Sequence, residues 1–227
     1  MSIAEALQDE AFFRYMRSVR SSSRVSIEGS ILESSIVTFW HEWMLCVLAG
    51  AIGLPRIAVC VWHQPGLERT VSLINRLGVH VIAARKDNAY GVRELREWLA
   101  REKSIVAITL DGPNGPRRVA KSGVVRLARL AKVPLHPLDV TASPVFELNG
   151  WDHCVMPATQ NHIALRVLPA MPATGSPAEG AQLLESALSR TVPTPDLRRG
   201  WARYLSWSWA RACTMPLQFG TATLWPD

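Results

Sequence analysis

Two stretches of this chain combine residue types that could carry chemistry. The first is 109–118, a turn in which glycine and proline alternate with polar residues and which ends in two arginines. The second is His41, which follows the apolar run 36–40. Both follow apolar runs that predict strands, and α/β folds place chemistry where strands end. The sequence therefore predicts a base and an anion cradle at one edge of a sheet.

His41 is a candidate general base, because imidazole titrates near neutral pH and can take a proton from an alcohol or an amine. It can equally be a polar group that the fold satisfies. A base needs a partner that holds its tautomer; the chain offers Glu42, whose side chain would have to fold back, and Asp139, at the end of a later strand. Cys46 supplies no carboxylate. Its offset from His41, about 140° of a helical turn, does not favour a thiolate pair.

The loop 111–118 has the composition of a rigid turn. Gly112 and Gly115 accept positive φ values, and the neighbouring prolines stiffen the chain. One interpretation is a surface connector. The other is an anion site, in which free amides of the turn and the side chains of Arg117 and Arg118 hold a negatively charged group.

Composition favours one globular α/β domain. The chain has 227 residues, of which 48% are hydrophobic and 19% charged, which is not the composition of a disordered protein. The formal net charge is +6, and most basic residues are arginine, which suits carboxylates and phosphates, although codon bias explains the excess equally well. Because the chain has no lysine-rich run and no RNA-binding signature, we expect no nucleic-acid partner.

The cysteine spacing tests for a metal or redox motif. The N-terminal residues and the apolar runs indicate the cellular location of the protein. No two of the four cysteines form a C-x-x-C pair, so we expect neither a metal site nor a redox motif. The acidic N-terminal segment is unlike a signal peptide, and the longest apolar run, 44–55, is too short to span a bilayer. We expect a cytoplasmic protein and leave open peripheral contact with the inner face of a membrane.

Strand and helix patterns alternate along the chain, which predicts an α/β fold with a mostly parallel, mixed sheet flanked by helices. The predicted strands are 36–40, 56–62, 79–84, 104–110, 133–140 and 162–168. The predicted helices are 2–20, 42–51, 67–77, 92–101, 122–131, 178–190 and 196–211, and 141–161 reads as irregular. We expect a single domain with a core at about 34–172 and helical extensions at 1–30 and 177–227.

Several motifs occur in a fixed order within the predicted core. They are Phe-Trp-His at 39–41, Leu-Gly-Val-x-Val-Ile at 77–82, Gly-Val-Arg-Glu-Leu-Arg-Glu at 91–97, Asp-Gly-Pro-Asn-Gly-Pro-Arg-Arg at 111–118, Val-Pro-Leu-His-Pro-Leu at 133–138, and Trp-Asp at 151–152. In this order the chain resembles the lysophospholipid acyltransferase superfamily, and most closely its domain-of-unknown-function branch.

The resemblance implies an acyltransferase-like fold and an acyl-transfer reaction. In the superfamily a histidine, usually within an H-x4-D motif, deprotonates an acceptor hydroxyl, which then attacks an acyl thioester of coenzyme A or of a carrier protein. The thioester is a co-substrate, so no cofactor is implied. The acceptor would be a lysophospholipid-like molecule or a specialised metabolite with a hydroxyl or amine. Carried onto this chain, the resemblance implies catalytic roles for His41 and Asp111 and substrate-binding roles for Gly112, Asn114, Gly115, Arg117 and Arg118.

Some positions depart from the family pattern. The aspartate of H-x4-D is Cys46, and Pro65 stands where the branch has the aspartate of Ser-Arg-x-x-Asp-Gly. His63, in that altered turn, is either a second acid or base or a polar residue at the rim, and we count it among the substrate-binding candidates. The departures favour a non-catalytic protein that binds an acyl chain or an anionic lipid. The retained His41 and the complete 111–118 loop favour the enzyme.

The segment 198–211 has the composition of an interfacial helix, with three tryptophans and a tyrosine among four arginines. It either packs on the sheet and closes the core or contacts a membrane or a partner protein.

Overall fold

The computed structural model describes residues 3–31, 33–62, 67–84, 89–171 and 175–189. The strands are β1 (Arg24–Glu28), β2 (Ser35–Phe39), β3 (Ile57–Trp62), β4 (His80–Ala84), β5 (Ile105–Thr109), β6 (Leu135–Glu147) and β7 (Val155–Val167). The helices are α1 (Ile3–Ser22), α2 (Met44–Ala51), α3 (Leu67–Arg76), α4 (Ala89–Leu99), α5 (Gly123–Ala131) and α6 (Pro177–Ser189), with a short 3-10 helix at His41–Trp43.

The strands form one seven-stranded sheet in the order β1-β7-β6-β2-β5-β3-β4. Only β6 and β7 pair in the antiparallel direction, and the other neighbouring strands of this sheet run parallel. Every residue of β2 is buried, as expected of a central parallel strand, and its sequence Ser-Ile-Val-Thr-Phe carries no charged side chain. The prediction of a mostly parallel, mixed sheet flanked by helices is confirmed.

The chain reverses its direction of travel across the sheet after β4. From β2 it moves outward through β3 to β4, and from β4 it returns through β5 to β6. Because crossovers between parallel strands are right-handed, α2 and α3 cover one face of the sheet and α4 and α5 cover the other. The neighbours β2 and β5 therefore send their chains to opposite faces, which opens a crevice at their carboxyl ends.

The prediction of an irregular segment at 141–161 is wrong. β6 and β7 form a long hairpin that covers most of it, and the ladder shifts register between Ser143 and Val145. Pro144 lies in that shift. Its missing backbone N–H therefore costs the ladder on either side no hydrogen bond. β1 is absent from the predicted strands, because the three serines at 21–23 indicate a break directly after the first helix. The N-terminal extension thus contributes a strand as well as a helix.

Within the described ranges, no helix combines the length and the apolar character needed to cross a membrane. The helix predicted at 196–211 and the interfacial segment 198–211 lie outside the described residues, as does His63.

Candidate active site

The two chemically suggestive stretches meet at the crevice between β2 and β5. Phe39 and Thr109, the last residues of these strands, are partners in the sheet. The Leu110 backbone N–H donates to the Phe39 carbonyl at 2.8 Å, which carries the pairing one residue beyond the strands. His41 and the 111–118 loop begin directly after this point. The predicted shared edge is therefore present in the structure.

Asp111 ties the two stretches together. It is fully buried, its Oδ1 accepts the backbone N–H of His41 at 2.8 Å, and its Oδ2 accepts the backbone N–H of Arg118 at 3.1 Å. Burial raises the pKa of the Asp111 carboxyl, and the two backbone hydrogen bonds oppose that shift. Asp111 therefore binds the backbone of His41. The imidazole ring of His41 contacts a different carboxylate.

That carboxylate belongs to Asp152, which the sequence analysis did not assign to the site. Asp152 Oδ2 lies 2.7 Å from His41 Nδ1, both side chains are buried, and Asp152 Oδ1 accepts the Cys154 backbone N–H. A carboxylate at Nδ1 holds the proton on that nitrogen and leaves the lone pair on Nε2. The two carboxylates considered from sequence are engaged elsewhere, Glu42 with two arginines and Asp139 with Arg166. In the sequence, only its place in the Trp-Asp motif at 151–152 pointed to a functional role for Asp152.

Trp151 and Gly115 pack the loop around the histidine. The centroids of the Trp151 and His41 rings are 5.1 Å apart, with their planes tilted by 43°. Gly115 has a φ of 65°, and a Cβ there would lie 2.6 Å from Trp151 Cε3. Glycine is needed at this position both for the backbone conformation and for the approach of the indole. Gly115 thus has a packing role beside the predicted substrate-binding role, which stays a prediction.

Both arginines of the loop bind Glu42, the residue after His41. Arg117 directs Nε and Nη2 to Glu42 Oε2 at 2.7 and 2.6 Å. Arg118 directs Nε and Nη2 to Oε1 at 3.0 and 2.7 Å. Glu42 is fully buried, whereas the two arginine side chains are 32% and 31% exposed.

Two further predicted substrate-binding residues lie in the same loop. Gly112 has a φ of 68°, and Asn114 is exposed.

An apolar cavity of about 140 Å³ lies between the sheet and α1, α2 and α3. His41 lines it together with Pro113 of the loop, so the two predicted stretches share one cavity. The charged residues in its lining include Asp9 and Arg69, whose side chains form an ion pair at 2.5 Å. The remaining walls are mostly hydrophobic: Phe12, Phe39, Met44, Leu45, Val47, Leu48, Val59, Val61, Leu73, Ile74 and Ala107.

The thiols near this region have little nucleophilic character. Burial raises the pKa of Cys46 above its usual range, and its Sγ faces the Val155 carbonyl at 4.0 Å. Burial raises the pKa of Cys60, which lines the cavity, to about 12. The thiolate is the reactive form, so neither cysteine is prepared for nucleophilic catalysis.

Sequence comparison with known proteins finds one partial match. No protein-family model matches this chain. The uncharacterized protein RP090 of Rickettsia prowazekii is 26% identical over 126 residues, which are 54% of this chain and 56% of that protein. The chain thus matches little more than half the length of this curated relative.

A solved structure with a similar fold is the 1-acyl-sn-glycerophosphate (LPA) acyltransferase PlsC from Thermotoga maritima. The TM-score is 0.51 at 14% identity, over 80% of this chain and 77% of that one. This chain has an acyltransferase-like fold. The fold expected from the motif resemblance is therefore confirmed, and the placement in the domain-of-unknown-function branch stays a prediction.

Proposed function

We propose that this protein transfers an acyl group from a thioester to a hydroxyl or an amine, with His41 as the general base. One observation carries the proposal. His41 lines an apolar cavity and has its Nδ1 held by the buried carboxylate of Asp152. A base with a fixed tautomer beside a site for an apolar chain is what this reaction requires.

The geometry supports a simple sequence of proton transfers. Nε2 of His41 takes the proton of the acceptor as its oxygen or nitrogen attacks the thioester carbonyl carbon. The carbon–sulfur bond then breaks, and the imidazolium returns the proton to the leaving thiolate. Asp152 keeps the ring oriented and stabilises the imidazolium between the two transfers, the role an aspartate plays in serine hydrolases.

The cavity supports an acyl chain as the transferred group. Its walls come from the sheet and three helices and are mostly hydrophobic, so burying a hydrocarbon chain there is favourable by about 0.8 kcal/mol per methylene. The donor would be acyl-coenzyme A or an acyl carrier protein. The acceptor would be a lysophospholipid-like molecule or a specialised metabolite. Asp111, Gly112, Asn114 and the two arginines would lie on the acceptor side, and His63 stays a substrate-binding candidate.

A thiol-release assay tests the proposal. The purified protein is mixed with palmitoyl-coenzyme A, or with a palmitoyl carrier protein, and with lysophospholipid and amine acceptors. We expect acceptor-dependent release of free thiol, and we expect His41→Ala to reduce it to background. His162→Ala is the matched control, because His162 is an exposed histidine on β7, next to Ser26 of β1 and away from the 148–154 turn that carries Asp152. Equal loss of activity in both variants, or full activity without His41, would remove His41 as the base.

The second candidate is a non-catalytic protein that binds an acyl chain. The replaced family positions, Cys46 and Pro65, favour it, and the apolar cavity serves it equally well. A fluorescent fatty acid that binds in the cavity, with no thiol release from either donor under any acceptor condition, would support this candidate against the enzyme.

A further inference from the structure

β1 forms one edge of the seven-stranded sheet, and its outer side has no partner in the described part of the chain. On its inner side it pairs with β7 in a regular parallel register without a bulge. The backbone of 24–28 makes no other backbone hydrogen bond to a described residue. The chain enters β1 from α1, which packs on α2, α3 and β7, and it leaves toward β2, further inside the sheet. A row of backbone N–H and C=O groups therefore faces solvent, and such a row can pair with another strand.

The sequence of β1, Arg-Val-Ser-Ile-Glu, is complementary to itself when two copies run antiparallel. A twofold axis must pass through a residue pair, because neighbouring pairs of an antiparallel ladder alternate between hydrogen-bonded and non-hydrogen-bonded types. With the axis at Ser26, Arg24 faces Glu28 of the second copy, and Val25 faces its Ile27. Charges on an edge strand usually prevent pairing, but these two are opposite in sign and equidistant from the centre, so antiparallel pairing matches them.

The exposed side chains of β1 suit this pairing. Arg24 is exposed, and its guanidinium has no ion pair or hydrogen bond to any residue that the structure describes. The Glu28 carboxylate lies 3.4 Å from Arg166 Nε, but both side chains are more than half exposed, so this ion pair adds little to stability. Ile27 is 52% exposed, although natural proteins usually keep apolar surface off an edge strand. Pairing with a second copy covers Ile27 and gives Arg24 a carboxylate.

We infer that two copies of this protein form a symmetric dimer through antiparallel pairing of their β1 strands, which joins the two sheets edge to edge. The free backbone groups supply the hydrogen bonds, and an Arg24–Glu28 pair at each end of the ladder fixes its register and direction. Both copies use the same strand, so the assembly closes at two. A strand of five residues makes a small interface, so we expect monomer and dimer in equilibrium. β7 and β6 separate β1 from β2, and the inference does not depend on the proposed function.

Charge reversal tests this dimer with the full chain, and sedimentation velocity over a concentration series measures its dissociation constant. Arg24→Glu and Glu28→Arg each replace both attractive pairs by repulsive ones, so we expect each to weaken the dimer roughly tenfold or more. The double variant Arg24→Glu/Glu28→Arg restores both pairs and should recover the wild-type constant. An equimolar mixture of the two single variants should form a mixed dimer, because each chain offers the other the opposite charge at both ends of the strand. Arg14→Glu, at a side chain 78% exposed on α1, is the control and should leave the constant unchanged.

A cysteine at the axis tests the register independently and covers the case in which a charge reversal does not fold. Opposite Cα atoms of an antiparallel ladder are about 4.5–5.5 Å apart, within the range of a disulfide, so Ser26→Cys should form an intermolecular disulfide on mild oxidation. Ser21→Cys, at an exposed position outside β1, should not, and the oxidised wild-type protein gives the background from the native cysteines. No dimer in sedimentation, a dimer that both charge reversals leave unchanged, or no disulfide from Ser26→Cys would each overturn the inference.

Discussion

Asp152 Oδ2 lies 2.7 Å from Nδ1 of His41, although 111 residues separate them in sequence. Both side chains are buried, and the short turn between β6 and β7 carries the aspartate to the carboxyl end of β2. In the H-x4-D motif of the superfamily that the sequence resembles, a carboxylate stands five residues after the histidine, where this chain has Cys46. In this structure the carboxylate at the His41 ring comes from a different part of the chain.

Asp152→Asn should reduce kcat while leaving the protein folded. The amide can accept or donate at Nδ1, so the ring loses its fixed tautomer and the imidazolium loses its counter-charge. In a serine protease this change costs about 10⁴-fold in kcat, and we expect a loss on the order of 10² to 10⁴-fold. Asp139→Asn, at another buried carboxylate, is the control. NMR of the His41 ring should show a changed tautomer in Asp152→Asn only; an unchanged ring and an unchanged kcat would contradict the role of Asp152.

Gly115→Ala should destabilise the protein more than Gly112→Ala. Both glycines have positive φ values, 65° and 68°, so both substitutions carry the backbone cost of about 1–2 kcal/mol. At Gly115 the added methyl group also meets the Trp151 ring at 2.6 Å, whereas at Gly112 the nearest atom is Lys121 Cγ, 3.9 Å away. Thermal or denaturant unfolding measures the difference. Equal destabilisation of the two variants would show that Trp151 moves aside freely.

Asp111 should make a contribution to stability that falls as pH rises. Its folded-state pKa is raised above the ordinary 3.8, so the folded protein binds this proton more tightly than the unfolded chain does. The free energy of unfolding therefore decreases as pH rises from about 3.8 through the folded-state pKa. The difference between wild type and Asp111→Asn, measured by denaturant unfolding across this range, should decline with pH. A difference that grows with pH would mean that the two backbone hydrogen bonds outweigh burial.

Cys46 and Cys60 should resist alkylation in the folded protein. Burial raises the pKa of Cys60 to about 12 and that of Cys46 still further, so almost no thiolate is present near neutral pH. Iodoacetamide at neutral pH followed by peptide mass spectrometry should leave both unmodified until denaturant is added. Cys46→Ala should keep any acyl-transfer activity. Loss of activity in this variant, with an unchanged melting temperature, would revive the thiolate alternative.

Val59→Phe should shorten the acyl chain that the cavity accepts. Val59 lines the cavity from β3, and the larger side chain occupies part of its volume of about 140 Å³. Binding of fluorescent fatty acids of two chain lengths measures the effect, and we expect a greater loss for the longer one. Leu130→Phe, at a site 57% exposed on α5, is the control for adding aromatic surface. Equal binding of both chain lengths in Val59→Phe would place the acyl chain outside this cavity.

The central fold could be predicted because its signals are local. Apolar runs followed by helical periodicity predicted β2, β3, β4 and β5 to within about one or two residues of their ends. The alternation of strands and helices predicted a mostly parallel sheet, and parallel neighbours end at the same edge. These two facts predicted that His41 and the 111–118 loop would lie at one edge of the sheet, and the pairing of β2 with β5 brings them together there.

Tertiary structure decided which groups pair at that edge. The hairpin of β6 and β7 crosses a register shift at Pro144, and only its return brings Asp152 to the ring of His41. Glu42, which the sequence offered as a partner for the His41 ring, takes the two arginines instead, and Asp111 takes the backbone N–H of His41. The sequence determined that carboxylates, arginines and a histidine would gather. Which carboxylate holds which cation depends on distances of a few ångströms between residues that are remote in the chain, and those distances exist only in the folded protein.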